Sequence, residues 1–262
     1  MVSKNPDTVQ HGHQQALFSF LLRMGDNCLI LGHRVSEWCG HAPALEEDIA
    51  LANVSLDLIG QTQLWLELAA EVEGAGRTAD DLAYFRDAFD FRNVLLVEQP
   101  NGDYGHTLMR QFLFDAWHLP MVRQLMQSSD KRIAEIAEKA SKEVAYHFER
   151  SSELVMRLGD GSEESHRRMQ TAVDALWPYA GELLEYDDAD SYLVDSETIP
   201  DISDVAGIWH EHVSAVITKG TLKLPQNNSV HRGGAQGRHS EHLGFILAEM
   251  QFLQRAYPGA RW

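Results

Sequence analysis

Apolar residues recur at intervals of three and four along most of the chain, which is the spacing of one face of an α-helix. A clear early example is the stripe Leu21, Met24, Cys28, Leu31, Val35 and Trp38. No segment shows a convincing alternation of apolar and polar residues, so the sequence predicts no β-strand. The pattern therefore favours an all-α protein.

The second predicted helix begins near Pro43, where the following acidic residues suit the positive end of the helix dipole. Two apolar stripes run along this helix. One stripe comprises Leu51, Val54, Leu58, Gln61 and Trp65, and the other comprises Ile49, Ala52, Leu56 and Ile59. Because a helix that is apolar on two sides is typical of a buried position, we expect this helix to lie in the centre of a bundle.

Further helical segments follow as far as the C-terminal region. Thr78 is a candidate N-cap for a helix that extends to about Val97, and Pro178 predicts a kink or an early end in a helix over roughly residues 163–186. Apolar spacing predicts other helices around residues 108–122, 133–148, 204–218 and 243–253. We expect one helical domain over residues 19–262 with four long core helices, preceded by a flexible segment, residues 1–18.

The composition restricts the class of partner and the compartment. The formal charge of the 262-residue chain is −17 at pH 7, so we expect it to repel nucleic acid and anionic membrane surfaces. Two cysteines, Cys28 and Cys39, are too few for a disulfide framework. The polar N-terminal residues lack the apolar core of a secretory signal, and no apolar run approaches the length of a membrane span. These features predict a cytoplasmic protein that binds neither nucleic acid nor membrane.

Three polar residues, Asp115, His118 and His147, fall on otherwise apolar helix stripes. A buried charge is costly unless it is paired, and a carboxylate and an imidazole on facing helices can satisfy each other. A buried hydrogen-bonded network is therefore one interpretation, and a metal or acid–base site is the other. Carboxylate-bridged di-iron bundles need about four carboxylates and two histidines from four helices, and the sequence does not supply that set.

A glycine-rich loop with two arginines precedes the last predicted helix, within the run HRGGAQGRH at residues 231–239. Such a loop at a helix N-terminus can hold an anion. It lacks the fixed spacing of a nucleotide-binding fingerprint, so a partner-contacting surface loop is the competing interpretation. The candidate residues are Arg232, Gly233, Gly234, Gly237, Arg238 and His239.

Long blocks of the sequence are similar to a known family. They are GDNCLILGHRVSEWCGHAPALEEDIALANVSLDLIGQ, NVLLVEQPNGDYGHT, FLFDAWHL, KEVAYH and GRHSEHLGFILAEMQFLQRAYPGARW. They resemble the phenylacetate-degradation PaaC family, which supplies the C subunit of ring-1,2-phenylacetyl-CoA epoxidase. The similarity extends from about residue 22 to residue 262. It implies a ferritin-like four-helix bundle core with additional helices.

The resemblance also implies a division of labour between two ferritin-like subunits. The A subunit of such complexes is catalytic and holds the di-iron centre, whereas the C subunit has no catalytic residues or metal of its own. At the positions that match the iron ligands of the A subunit, other residues replace most of the donor residues in this chain. The degenerate positions are Cys28, Leu58, Gln61, Asp115, Val144 and His147.

The resemblance predicts a structural subunit of a multicomponent monooxygenase that supports the catalytic A subunit. This chain would carry no cofactor, while the complex would use di-iron in the A subunit and NADPH, flavin and an iron–sulfur centre in the reductase subunit. The alternatives are a stand-alone metal-binding oxidoreductase built on Asp115, His118 and His147, and a regulatory protein that binds a CoA ester. Trp262 is a further candidate partner contact, because tryptophan is enriched at binding hot spots.

Overall fold

The computed structural model describes residues 6–226 and 230–260 of the chain. Along these residues the helices are, in order, α1 (Pro6–Ser36), α2 (Leu45–Glu73), α3 (Ala79–Tyr84), α4 (Leu95–Glu98), α5 (Tyr104–Leu125), α6 (Lys131–Gly159), α7 (Glu163–Ala180), α8 (Ser191–Asp195), α9 (Ile202–Lys219), α10 (Glu241–Met250) and α11 (Phe252–Ala256). Short 3-10 turns occupy Ala88–Asp90, Gly181–Leu184 and Gly234–Gln236. The described residues contain no strand, so the predicted all-α, ferritin-like class is confirmed.

The bundle core is formed by α1, α2, α5 and α6, with α7 and α9 packed against α5. Small residues let α1 and α2 approach closely. Gly25 faces the side chain of Leu66, and Ser55 on α2 donates a 2.9 Å hydrogen bond to the carbonyl of Gly32 on α1. The core itself consists of fully buried apolar side chains from every long helix, including Phe20, Leu31, Trp65, Phe112, Val144 and Trp209. The resulting interior is where the residues of the candidate site meet.

The predicted helix over residues 78–97 is wrong beyond its first six residues. Thr78 does cap α3, but α3 ends at Tyr84. Two buried polar side chains of α1 then bind the backbone of the following segment. Asp26 accepts a 2.8 Å hydrogen bond from the N–H of Arg92, and Asn27 accepts one of 2.8 Å from the N–H of Val94. Because these N–H groups bond to side chains, they are not available to continue a helix.

The prediction of a central position for α2 is also wrong. Its first stripe is buried, but the second is on the surface, where Ile49 is 55% exposed and Leu56 is 68% exposed. Leu45 and Ile59 lie on the same exposed face, and Ala52 between them is half-buried. Within the described chain, α2 therefore packs against α1 and α6 and leaves an apolar face uncovered.

Residues 6–18, which the sequence analysis assigned to a flexible segment, belong to α1, and Ala16 and Leu17 in that range are buried. The division into residues 1–18 and 19–262 stays a prediction. No helix in the described part of the chain is long and apolar enough to cross a membrane.

Candidate functional site

The centre of the bundle brings together a set of buried polar side chains, one or more from each core helix. Cys28 comes from α1, Gln61 from α2, Asp115 and His118 from α5, and His147 from α6. Apart from His118, these residues occupy positions that match di-iron ligands in the family resemblance. Leu58 and Val144, which occupy two more of those positions, are fully buried and apolar.

His147 is bound by a residue of α2. Its Nε2 atom lies 2.9 Å from Oδ2 of Asp57, and because a carboxylate accepts, the imidazole donates this hydrogen bond. The His147 side chain is buried, whereas that of Asp57 is one-third exposed. The second ring nitrogen, Nδ1, has no hydrogen-bond partner among the described residues. The contact therefore ties α6 to α2 at the edge of the core.

Asp115 is held by two neutral donors rather than by an imidazole. Its carboxylate accepts a 2.7 Å hydrogen bond from Nε2 of Gln111 and a 2.8 Å hydrogen bond from Oγ of Ser151. Burial raises the pKa of Asp115 to about 6, against the opposing effects of nearby His147 and of these two hydrogen bonds. The three residues of the predicted network are thus all buried, but the hydrogen bonds of Asp115 and His147 go to other residues.

His118 is surrounded by aromatic rings. Its ring centroid lies 5.0 Å from that of Phe114, and its plane stacks at 17° on Trp117. Neither ring nitrogen has a hydrogen-bond partner within the described residues. Burial, with a smaller effect of His147, lowers the pKa of His118 to about 3, so the imidazole is neutral at physiological pH. In this setting His118 packs as an aromatic ring.

Gln61 occupies one of the ligand-like positions and bonds to the exterior of α6. Its amide donates a 3.0 Å hydrogen bond to Oε2 of Glu143, and its carbonyl lies 3.9 Å from the thiol of Cys28. Burial, followed by the charge of Asp26, raises the pKa of the Cys28 thiol well above its usual range. Cys28 is therefore a buried, neutral thiol with the character of a packing residue.

The donors in this centre do not match a di-iron site. Such a site needs about four carboxylates and two histidines, whereas here one carboxyl group is fully buried beside two imidazoles. In the part of the chain that the structure describes, no group of three or more His, Cys, Asp or Glu side chains is arranged to hold a metal ion. Asp115, His118 and His147 are therefore not arranged as a set of metal ligands among the described residues.

The glycine-rich loop is bound to the core by a buried carboxylate, Glu182. Its Oε1 accepts hydrogen bonds from the N–H of Gly233 at 2.9 Å and of Ala235 at 3.3 Å, and its Oε2 accepts one from Leu95 at 2.8 Å. Gly234 packs so closely that a Cβ atom there would lie 2.2 Å from the carbonyl oxygen of Asn93. The N–H of Gly233, one of the candidate donors, therefore already binds a carboxylate of the same chain.

A second buried carboxylate, Glu98, holds the end of this loop. It accepts hydrogen bonds from Nδ1 of His239 at 2.9 Å and from the N–H of Ser240 at 2.6 Å. Farther out, Arg232 pairs with Glu185 at 2.7 Å on the surface. Gly237 has a positive φ of 78° and packs against the carbonyl of Phe89, whereas Arg238 is exposed. Trp262 lies outside the described residues.

The sequence profile of a family described as "Phenylacetic acid catabolic protein" matches residues 1–262. This chain belongs to that family. It is also similar to a curated relative from Escherichia coli (strain K12), which is named as the C subunit of 1,2-phenylacetyl-CoA epoxidase. The two are 46% identical over 246 residues, which cover 94% of this chain and 99% of the relative. The family assignment predicted from the quoted sequence blocks is thus confirmed.

Within this family member, sequence reasoning missed four carboxylates of the two polar clusters. Asp57 and Glu143 bind the polar residues of the bundle centre, and Glu98 and Glu182 bind the loop. A signal existed for Glu98, because it follows the apolar run Leu95–Val97 and is therefore expected on a buried segment. No local pattern indicates the partner of Asp57, since His147 lies 90 residues away in the chain.

Proposed function

We propose that this chain is a non-catalytic structural subunit of a phenylacetyl-CoA 1,2-epoxidase, a multicomponent monooxygenase of aerobic phenylacetate degradation. It supports a di-iron catalytic subunit within a hetero-oligomer. The single observation that carries the proposal is the composition of the bundle centre, where Leu58, Gln61 and Val144 stand at ligand-like positions. The relative named as the C subunit of the epoxidase supports the same assignment.

The chemistry of the remaining donors supports a role without metal. Cys28 is buried beside the amide of Gln61, His118 is enclosed by aromatic rings, and Asp115 is bound by Gln111 and Ser151. Di-iron in the catalytic subunit supplies the oxygen chemistry, and the reductase subunit supplies electrons from NADPH through its flavin and iron–sulfur centre. This chain supplies surfaces that hold the catalytic subunit in its active shape.

The cytoplasm is the compartment that fits this role. Cys28 and Cys39 are both free, and Cys39 is exposed. An exposed free thiol is typical of a reducing compartment, because an oxidising one favours its conversion to a disulfide. The complex would meet its CoA-linked substrate and NADPH in the same compartment.

Metal analysis and turnover together test the proposal. The chain purified alone from iron-supplemented cells is expected to contain less than about 0.1 iron per chain, whereas iron in its complex follows the amount of catalytic subunit, at about two per copy. His147→Ala and Asp115→Asn variants that still assemble are expected to keep turnover within about threefold. Stoichiometric iron in the isolated chain, or a thousandfold loss of turnover in an intact and iron-loaded complex, contradicts a structural role.

A further inference from the structure

An apolar stripe on the outer face of α2 has no partner within the described chain. The stripe comprises Leu45, Ile49, Ala52, Leu56 and Ile59, whose four larger members are between 37% and 71% exposed. Each exposed leucine or isoleucine keeps apolar surface in water, which is unfavourable by about 25 cal/mol per Å². Contiguous surfaces of this kind mark interaction sites.

The spacing of the stripe indicates which kind of element covers it. Successive members are four, three, four and three residues apart. This is the heptad spacing in which one helix presents a seam to a second helix and side chains interlock as knobs in holes. From Leu45 to Ile59 the stripe is about 21 Å long at a rise of 1.5 Å per residue. Its occupant is therefore a helix of about four turns.

The charge beside the stripe distinguishes between a second copy of this chain and a different partner. Helix α2 contains no lysine or arginine, and its charged residues are Glu46, Glu47, Asp48, Asp57, Glu67, Glu71 and Glu73. Within the chain, Glu47, Asp57, Glu71 and Glu73 already pair with Arg150, His147, Arg132 and Arg77. The exposed acidic side chains that remain, Glu46 and Glu67, would add like charge to an interface between two copies, and like charge opposes pairing. A helix whose apolar seam is flanked by lysine and arginine is complementary.

We propose that this stripe is the surface on which the chain docks to the catalytic subunit of the epoxidase, through a helix with an apolar seam and basic flanks. The inference rests on the proposed function, which supplies the partner. The stripe forms the apolar centre of the interface, and the acidic residues beside it form the polar rim. The exposed ring of Tyr146 on α6 extends the apolar area on one side, next to Ala50.

The main test compares two variants in capture by an affinity-tagged catalytic subunit. One is the double variant Ile49→Glu with Leu56→Glu, and the control is Ile208→Glu on α9, a similarly apolar and 36% exposed position. We expect the double variant to bind at least tenfold more weakly and the control within twofold of the unaltered chain. The double variant is expected to keep the helix content and melting temperature of the unaltered chain, because Ile49 and Leu56 are more than half exposed.

A second test reverses the charge of acidic residues near the stripe. Glu46 is exposed beside Leu45 at one end of the stripe, and Glu67 is exposed about two turns beyond Ile59 at the other end. Reversing both with lysine is expected to lower the association rate at least fivefold at low salt, and this difference is expected to shrink at high salt. Glu211→Lys on α9, which reverses one exposed charge away from the stripe, is the control. Equal rates for the flank variant and the control overturn the choice of a basic partner helix.

Three outcomes overturn the docking proposal. The first is capture of the double variant as tightly as the unaltered chain, which leaves the proposed function intact. The second is a homodimer of the isolated chain that the double variant dissociates in sedimentation, since the occupant would then be a second copy. The third is no capture of the catalytic subunit by the unaltered chain, which overturns the docking surface and the proposed function together.

Discussion

The imidazole of His147 and the carboxylate of Asp57 lie 2.9 Å apart and join two core helices across 90 residues of sequence. Asp57 precedes Leu58, and His147 comes three residues after Val144, so each neighbours a position that offers no ligand to a metal. In this chain the histidine that resembles a ligand instead stabilises the packing of α2 on α6. The contact supports a structural role for a residue whose type suggests chemistry.

Replacing Asp57 with asparagine is expected to lower the free energy of unfolding by about 1–2 kcal/mol, because the buried His147 loses its charged acceptor. Urea denaturation measures the change. Glu153→Gln is the control, since this exposed carboxylate on the same helix as His147 has no hydrogen bond among the described residues. The control is expected to remain within about 0.5 kcal/mol of the unaltered chain. Equal effects of the two substitutions would mean that the contact contributes nothing.

Asp115 gives the stability of the chain a defined pH dependence. Its pKa is about 6 in the folded state, compared with 3.8 for a free carboxyl group. The folded state therefore keeps a proton that the unfolded state releases, so this contribution is full below about pH 3.8 and is lost as pH rises through about 6. Asp115→Asn removes this loss of stability at higher pH, because the asparagine side chain does not ionise. The variant is expected to gain up to about 3 kcal/mol relative to the unaltered chain between pH 4 and pH 7.

Urea denaturation of both proteins at pH 4, 5, 6 and 7 measures this difference. Asp204→Asn is the control, because Asp204 is exposed in the first turn of α9. The plot of unfolding free energy against pH for the control is expected to run parallel to that of the unaltered chain. A parallel curve for Asp115→Asn as well would show that Asp115 is ionised in the folded state throughout this range.

Much of the fold was predictable because helix periodicity is a local property. The stripe from Leu21 to Val35 identified α1, and Thr78 was the correct cap of α3. The prediction failed where distant side chains decide the local structure. Asp26 and Asn27 bind the backbone of residues 92–94, and nothing in that segment itself signals those bonds.

Some residues of the candidate site were predictable from the sequence, whereas their hydrogen-bond partners were not. Asp115, His118 and His147 are buried, as polar residues on apolar stripes should be. Their partners depend on the register between helices that are far apart in sequence, which periodicity does not contain. The second stripe of α2 shows the same limit. Apolar spacing identifies a face that avoids water, but it does not tell whether the covering element belongs to the same chain.

The attachment of the glycine-rich loop to Glu182 is expected to contribute substantially to stability. Glu182→Gln keeps the shape of the side chain and removes the charge that accepts the N–H groups of Gly233 and Leu95. We expect a loss of about 2 kcal/mol, since hydrogen bonds to charged groups contribute about 1.5–3 kcal/mol. Faster hydrogen exchange of the Gly233 amide is the local measurement. Glu185→Gln, which alters a surface ion pair with Arg232, is the control and is expected to change neither quantity appreciably.

Alanine substitutions at Gly234 and Gly244 test how closely the glycine-rich loop packs on its neighbours. A Cβ atom at Gly234 would lie 2.2 Å from the backbone oxygen of Asn93, whereas one at Gly244 on α10 would have no atom within 4 Å. Gly234→Ala is therefore expected to lower the melting temperature by about 8 °C or more, because backbone must move. Gly244→Ala is expected to raise it slightly, since alanine favours a helix over glycine by about 1 kcal/mol. A neutral Gly234→Ala would mean that the loop does not pack closely on Asn93.

The C-terminal helices have two apolar faces with different roles. Leu243, Ile246 and Leu247 on α10 are buried and close the bundle, whereas Phe245 and Phe252 are more than 60% exposed. Leu247→Ala is expected to lower the free energy of unfolding by about 2–4 kcal/mol, because it leaves a cavity in the core. Phe252→Ala is expected to change it by less than about 0.5 kcal/mol, because its ring makes little contact with the core. Capture of the Phe252→Ala variant by the tagged catalytic subunit then shows whether this exposed face takes part in the interface. Weaker capture of Phe252→Ala at an unchanged melting temperature adds Phe252 to the interface, whereas unaltered capture excludes it.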